Sequence, residues 1–119
     1  MEEIKIGEFI RTKEGYIFQI IGQSKRVDHT LYDTDNFGIC SSTVLEEITK
    51  KQSKNILDLI EEGDYVNERY VVCVEKHKNR IIVEVNYGKC GLKELKLKDI
   101  KSIVTKEQFE QMKYIVGDE

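Results

Sequence analysis

A short phrase that occurs twice constrains the fold of this chain more than any other feature. Residues 7–10 read Gly-Glu-Phe-Ile, and residues 63–66 read Gly-Asp-Tyr-Val. In both copies a glycine, which permits a tight entry, precedes a solvated acid and then an aromatic and a β-branched residue that favour a buried strand. Similar strands follow, Tyr-Ile-Phe-Gln-Ile at residues 16–20 and Tyr-Val-Val-Cys-Val at residues 70–74. The repeat predicts two halves of related β architecture.

The rest of each half consists of short strand signals and turns. Residues 16–22 are apolar on both faces, which is typical of a central strand, whereas residues 81–87 alternate between apolar and polar side chains. The endings also correspond, because Leu-Glu-Glu-Ile-Thr-Lys from Leu45 resembles Leu-Lys-Asp-Ile-Lys-Ser-Ile-Val-Thr-Lys from Leu97. Each half therefore predicts a bent meander of about five short strands, as in a small SH3-like barrel.

Two short helices are predicted, one between the halves and one near the end of the chain. The first follows Ser53, which can cap a helix, and its apolar residues between 56 and 60 share one face before Gly63 stops it. The second begins at Thr105, which forms a capping box with Gln108.

Together these signals predict a mainly β chain, a β-rich α+β fold of tandem or fused small SH3-like barrels. The first barrel-like half covers residues 1–50, the connecting helix covers residues 51–62, and the second half, with its terminal helix, covers residues 63–119. A last edge strand is predicted at residues 114–119. Two questions stay open, because the halves could be separate barrels or share one core, and the repeat could also be a chance likeness between two hairpins of one α+β domain.

Missing features restrict the class of protein. No run of about 18 apolar residues occurs, so no membrane span is predicted. The first residues are acidic and lack the apolar core of a signal peptide. The cysteines, Cys40, Cys73 and Cys90, are odd in number and widely spaced, which favours free thiols in a reducing cytoplasm. A cytoplasmic protein is therefore expected.

The residues available for catalysis are few. His29 and His77 fall in a polar loop and a predicted hairpin turn, and no zincin, nucleophile-elbow, Cys-x-x-Cys or phosphate-loop motif occurs. Pairing of Cys73 with His77 for thiol chemistry is disfavoured, because an apolar strand disfavours the thiolate. Asp33–Asn36 begins like a calcium loop but lacks the later glycine and glutamate. The sequence predicts a protein that is not an enzyme and holds no metal or cofactor.

Charge is distributed unevenly along the chain. Residues 1–75 hold 9 Lys and Arg against 15 Asp and Glu, a balance of −6, whereas residues 76–106 hold 9 against 3, a balance of +6. Residues 107–119 hold 1 against 4. This polarity predicts a binding protein with opposed surface potentials.

The charged segments supply the candidate binding residues. The candidates for contact with phosphates or an acidic partner are Lys76, Lys78, Arg80, Lys93, Lys96, Lys98 and Lys101. The candidates for contact with the basic channel of a nucleic-acid enzyme are Glu61, Glu62 and Asp64. Other interpretations remain, because lysines on edge strands also guard against aggregation and the acids fit an ordinary solvated face. Nucleic acid is the less favoured partner, since few arginines and only Tyr87 among the aromatic residues accompany the lysines.

Two stretches, Ile48–Asn67 and Asp99–Glu119, resemble small proteins from phages and prophages of low-GC Gram-positive bacteria such as clostridia. The segment between them resembles those proteins least, so partner specificity does not follow from the likeness. The resemblance implies a non-enzymatic binding protein, in the cytoplasm of an infected bacterium, that inhibits a host defence protein. The main expectation is an anti-CRISPR protein that blocks a Cas nuclease by occupying a nucleic-acid or partner site. The alternatives are a nucleic-acid-binding small β-barrel protein and a sponge for a nucleotide defence signal.

Overall fold

The computed structural model of the protein describes residues 3–112. Strands hold 45% of the described residues and helices hold 22%, which confirms the prediction of a mainly β chain. The chain divides into two compact units, Met1–Leu59 (unit 1) and Ile60–Glu119 (unit 2), so the division falls inside the segment predicted to connect the halves. No helix within residues 3–112 has the length and apolar character needed to cross a membrane.

Unit 1 is one antiparallel sheet with a helix before its last strand. Its elements are β1 (Phe9–Thr12), β2 (Ile17–Lys25), β3 (Thr30–Thr34), β4 (Ile39–Ser41), α1 (Ser42–Ile48), β5 (Thr49–Ser53) and a 3-10 helix (Ile56–Leu59). The strands lie in the order β4-β3-β2-β1-β5. Ile10, Phe18, Ile20, Tyr32 and Leu45 form the centre of its hydrophobic core.

Unit 2 is a second antiparallel sheet. Its elements are β6 (Tyr65–Val66), β7 (Arg69–His77), β8 (Arg80–Asn86), a 3-10 helix (Gly88–Cys90), β9 (Leu92–Leu95), a 3-10 helix (Leu97–Asp99), β10 (Ile103–Val104) and α2 (Lys106–Met112). The strands lie in the order β10-β6-β7-β8-β9. Val66, Val71, Val83, Val85 and Leu95 are buried in this unit.

The two sheets have the same topology. In each, the first strand lies between the second and the fifth, the third and fourth follow on the other side, and a helical turn joins the fourth strand to the fifth. Gly7 and Gly63 begin the two copies with the same φ of 97°, a left-handed conformation that glycine adopts without strain. The sequence repeat therefore corresponds to a structural repeat. The described strands do not close either sheet into a barrel.

Hydrogen bonds correct the alignment of the repeat. The N–H of Gly7 donates to the carbonyl of Ile20 at 2.8 Å, and the N–H of Gly63 donates to the carbonyl of Val71 at 3.0 Å. Val71 is therefore the counterpart of Ile20, whereas sequence similarity alone aligns Ile20 with Val74. The reason is loop length, because the first hairpin of unit 1 has five more residues than that of unit 2.

A β-bulge lies at the same place in both units. The pairing of the second strand with the third shifts between Ile20 and Gly22 in unit 1, and between Val71 and Cys73 in unit 2. A bulge inserts an extra residue and bends the strand, and the long second strand can then serve both halves of a curved sheet.

The helix predicted for residues 51–62 is much shorter in the structure. β5 runs to Ser53, and only the four residues Ile56–Leu59 form a 3-10 helix. The Ser53 hydroxyl accepts a hydrogen bond from the N–H of Asn55 at 3.1 Å and donates one to Asp58 at 2.8 Å, so it closes a turn after the strand. Residues 49–53 do not form a helix because they pair with β1 as a strand.

The terminal helix is confirmed as α2. Thr105 precedes it, and its hydroxyl accepts from the N–H of Gln108 at 3.3 Å, which is the first half of the predicted capping box. The edge strand predicted at residues 114–119 lies outside the described residues.

Candidate anion-binding cleft

Unit 2 contains an open cleft of about 690 Å³. It lies between the turn that joins β6 to β7, the end of β8, and the segment that follows β9. Four cationic and two acidic residues line it: Arg69, Lys93, Lys98, Lys101, Glu68 and Asp99. The cleft thus collects part of the positive charge that the sequence places in residues 76–106.

Asn67 fastens one wall of the cleft to the other. It shares a two-residue hairpin turn with Glu68, and both have positive φ, 52° and 68°, as the type I′ turn requires. The Asn67 side chain accepts from the N–H groups of Lys101 at 2.8 Å and Ser102 at 3.1 Å, and it donates to the carbonyl of Asp99 at 2.7 Å. These bonds fix the loop that carries two of the lysines.

Tyr87 holds two of the cations. The Arg69 guanidinium carbon lies 4.2 Å from the centre of the Tyr87 ring, and the Lys93 Nζ lies 5.0 Å from it. Attraction to the negative face of the ring restrains both side chains in cation–π contacts. Two positive charges are thereby partly ordered before a ligand arrives, which lowers the entropy cost of binding an anion.

The acids of the cleft compensate these charges only in part. Asp99 accepts a hydrogen bond from the N–H of Lys96 at 3.1 Å, so its carboxylate is engaged in capping a 3-10 helix. Glu68 is exposed at the hairpin turn. The cleft keeps a net positive charge and suits an anion with several oxygens, such as a row of phosphates.

The structure brings together three of the seven predicted basic residues. Lys93, Lys98 and Lys101 line the cleft. Arg80 instead donates from Nη2 to both carboxylate oxygens of Glu94, at 2.7 and 2.8 Å. That hydrogen bonding lowers the pKa of Glu94 and raises the pKa of Arg80.

The other three predicted basic residues lie elsewhere in unit 2. Lys76 and Lys78 are at the tip of the β7–β8 hairpin, and Lys96 precedes the 3-10 helix Leu97–Asp99. None of the three lines the cleft.

Arg69 was missed as a candidate because it belongs to the acidic part of the sequence. Val71 pairs with Val85, so continuing that antiparallel register places Arg69 opposite Tyr87. The signal was thus a strand register, which becomes visible only once the hairpin turn is known.

The predicted acidic candidates form mainly internal contacts. Asp64 is fully buried, and its carboxylate accepts from the N–H groups of Glu61 at 2.7 Å and Lys106 at 2.9 Å. The Lys106 Nζ lies 2.8 Å from a carboxylate oxygen of Glu61. Asp64 is therefore a structural residue and not part of a binding surface, whereas Glu62 is exposed. The sequence alone could not distinguish the buried acid from the exposed one, since burial depends on the tertiary structure.

Neither histidine is among the residues that line the cleft. His29 Nδ1 is 2.6 Å from Asp28 Oδ1 in unit 1, where the hydrogen bond lowers the pKa of Asp28. His77 Nε2 is 3.4 Å from Glu75 on β7. The cleft thus presents cationic side chains, one aromatic ring and backbone groups, which are suited to binding an anionic ligand. Comparisons with protein-family models, with curated proteins and with solved structures find no match for this chain.

Proposed function

We propose that the protein is a non-catalytic binding protein and that the cleft of unit 2 holds phosphates of a nucleic acid strand. The observation that carries this proposal is the convergence of Arg69, Lys93, Lys98 and Lys101 on one cleft, with two of them restrained by Tyr87. Cations that neutralise phosphates release the counterions of the strand, and this release drives association.

An SH3-like fold of each unit would agree with this role. We further propose that each unit is related to the small SH3-like barrels, although its described strands do not close. The support is that the fifth strand lies beside the first and that a helical turn precedes the fifth. The common bulge supplies the bend that such a fold needs in its second strand.

The salt dependence of binding tests the main proposal. With three to four phosphates neutralised, the logarithm of the association constant for a single strand should fall with the logarithm of salt concentration with a slope of about −2 to −3. A tenfold rise in salt should then weaken binding of a labelled oligonucleotide, followed by fluorescence anisotropy, at least about 100-fold. Binding that is insensitive to salt would contradict phosphate recognition.

Replacement of Tyr87 separates the ring from its hydroxyl group. Tyr87→Phe keeps the aromatic face and should leave the affinity for the oligonucleotide within about twofold of wild type. Tyr87→Leu removes the restraint on Arg69 and Lys93 and should lower the affinity about fivefold, since a cation–π contact contributes about 1 kcal/mol. Equal losses in both variants, measured by the same anisotropy titration, would show that the ring does not position the cations.

A second candidate function is inhibition of a bacterial defence protein, of the anti-CRISPR type, in the cytoplasm of an infected cell. The resemblance of two stretches to phage proteins supports this setting. The structural observation in its favour is the exposed apolar side chains of unit 1, among them Ile21 (56% exposed), Val27 (106%) and Ile39 (68%), the last on the short edge strand β4. Exposed apolar residues and an edge strand are common features of protein-contact surfaces.

Two assays separate these functions, an inhibition assay and a displacement titration. If the protein inhibits a Cas nuclease through unit 1, Ile21→Lys combined with Ile39→Lys should abolish inhibition and leave oligonucleotide binding unchanged. If it sequesters a nucleotide signal, a free mononucleotide should displace the labelled oligonucleotide from the cleft at comparable concentration.

A further inference from the structure

A mixed set of metal-ligating side chains lies on the outer face of unit 2, away from the cleft residues. Cys73, Glu75 and His77 occupy alternate positions of β7, so their side chains share one face of the sheet. Glu84 on β8 pairs in register with Cys73 across the ladder. The four residues supply a thiol, an imidazole and two carboxylates.

These groups are already close to one another. One ligand atom from each of Cys73, Glu75 and Glu84 lies within 4.8 Å of the other two, and His77 Nε2 lies 3.4 Å from a Glu75 oxygen. Around a tetrahedral zinc ion, with bonds of about 2.0–2.3 Å, ligand atoms are separated by about 3.5 Å. Small side-chain rotations are therefore enough to bring the donors of Cys73, Glu75 and Glu84 to a common centre. His77 lies four residues along the strand from Cys73 and contacts only Glu75 of this group, so it does not reach that centre.

The local charge favours a cation at this position. The carboxylates of Glu75 and Glu84 crowd the Cys73 thiol, since a ligand atom of each lies within 4.8 Å of its sulfur. The nearby Arg80 is engaged with Glu94. A divalent ion would offset the crowded negative charge and stabilise the thiolate.

The repeat shows that the fold itself does not need these donors. Because Ile20 corresponds to Val71, Cys73 and Glu75 correspond to Gly22 and Ser24, which follow the same bulge in unit 1. Only the acid at the Glu84 position has a counterpart, Asp33, which pairs with Gly22. The same bulge forms with a glycine and a serine, so the backbone of unit 2 does not require a thiol and a glutamate at these positions.

We infer that Cys73, Glu75 and Glu84 form a binding site for a divalent transition-metal ion such as Zn²⁺. The thiolate selects a borderline-soft ion over Mg²⁺ or Ca²⁺, which prefer sites made of oxygen ligands. The site is independent of the function of the cleft, since no residue is shared.

Cobalt spectroscopy on the full chain tests the inference. Reduced protein titrated with Co²⁺ should develop one equivalent of a thiolate-to-cobalt charge-transfer band together with the visible bands of tetrahedral cobalt, and Zn²⁺ should displace them. Cys73→Ser should abolish the charge-transfer band, and Glu84→Gln should weaken binding at least about tenfold, in keeping with loss of a metal ligand. Cys90→Ser, at an exposed cysteine outside the set, is the matched control and should behave as wild type.

Two results would overturn the site. One is the absence of the charge-transfer band in the wild-type protein at millimolar Co²⁺. The other is a band that survives in Cys73→Ser and disappears in Cys90→Ser. Backbone amide spectra of each variant establish that the fold is retained, as the serine and glycine at the equivalent bulge of unit 1 lead us to expect.

Discussion

Replacing Lys93, Lys98 and Lys101 together with glutamate should lower the affinity for a single-stranded oligonucleotide at least about 100-fold at about 0.1 M salt. The three side chains line one cleft, so the triple variant converts its net positive charge into a negative one. Repulsion of the phosphates replaces counterion release, and the remaining Arg69 cannot compensate for it. The measurement is an anisotropy titration at a single fixed salt concentration, because affinities at different salt concentrations are not comparable.

A matched control separates the cleft from the overall charge of the protein. Lys76→Glu, Lys78→Glu and Lys89→Glu together cause the same change of net charge, and all three positions are exposed and lie outside the cleft lining. At about 0.1 M salt this control should lose no more than about fivefold in affinity, since none of its lysines lines the cleft and salt screens exposed charges. Equal losses in the two triple variants would contradict a localised site.

The repeat shows which parts of the fold can be predicted from the sequence. The glycine, the acid and the two core residues that open each half are enough to predict two similar β-rich units, because each letter has a local conformational cause. The register within the repeat could not be predicted. Tyr16 and Tyr70 look equivalent, but hydrogen bonding makes Ile20 the counterpart of Val71, and the length of the intervening loop decides the match.

The candidate site was predictable to a similar extent. Lys93, Lys98 and Lys101 follow from the charge of their segment, since a run of lysines signals a positive surface wherever it folds. Arg69 does not, because it joins them only through the pairing of β7 with β8. The burial of Asp64 is likewise a tertiary fact, since its partners come from residues on both sides of it, one of them in a distant helix.

Asp64→Ala should destabilise unit 2 by about 4 kcal/mol. The Asp64 carboxylate is fully buried and accepts hydrogen bonds from the N–H groups of Glu61 and Lys106, and a bond to a charged group contributes about 1.5–3 kcal/mol. The variant leaves both donors without this acceptor and also removes an anion from the start of α2. Asp64→Asn keeps one acceptor oxygen and should lose about half as much. The free energy of unfolding of a small domain is about 5–15 kcal/mol, so the alanine variant loses a large share of the stability of unit 2.

Hydrogen exchange resolved by residue provides the measurement, because it reports each unit separately. In Asp64→Ala the buried amides of Val71, Val83 and Val85 should lose protection by roughly three orders of magnitude, which is the equivalent of 4 kcal/mol. Glu46→Ala, at an exposed acid on α1, is the control and should change protection by no more than about 0.5 kcal/mol. Unchanged protection of the unit 2 amides in Asp64→Ala would mean that the two donors find other acceptors, and that the attachment of α2 to the first strand of its sheet does not depend on this carboxylate.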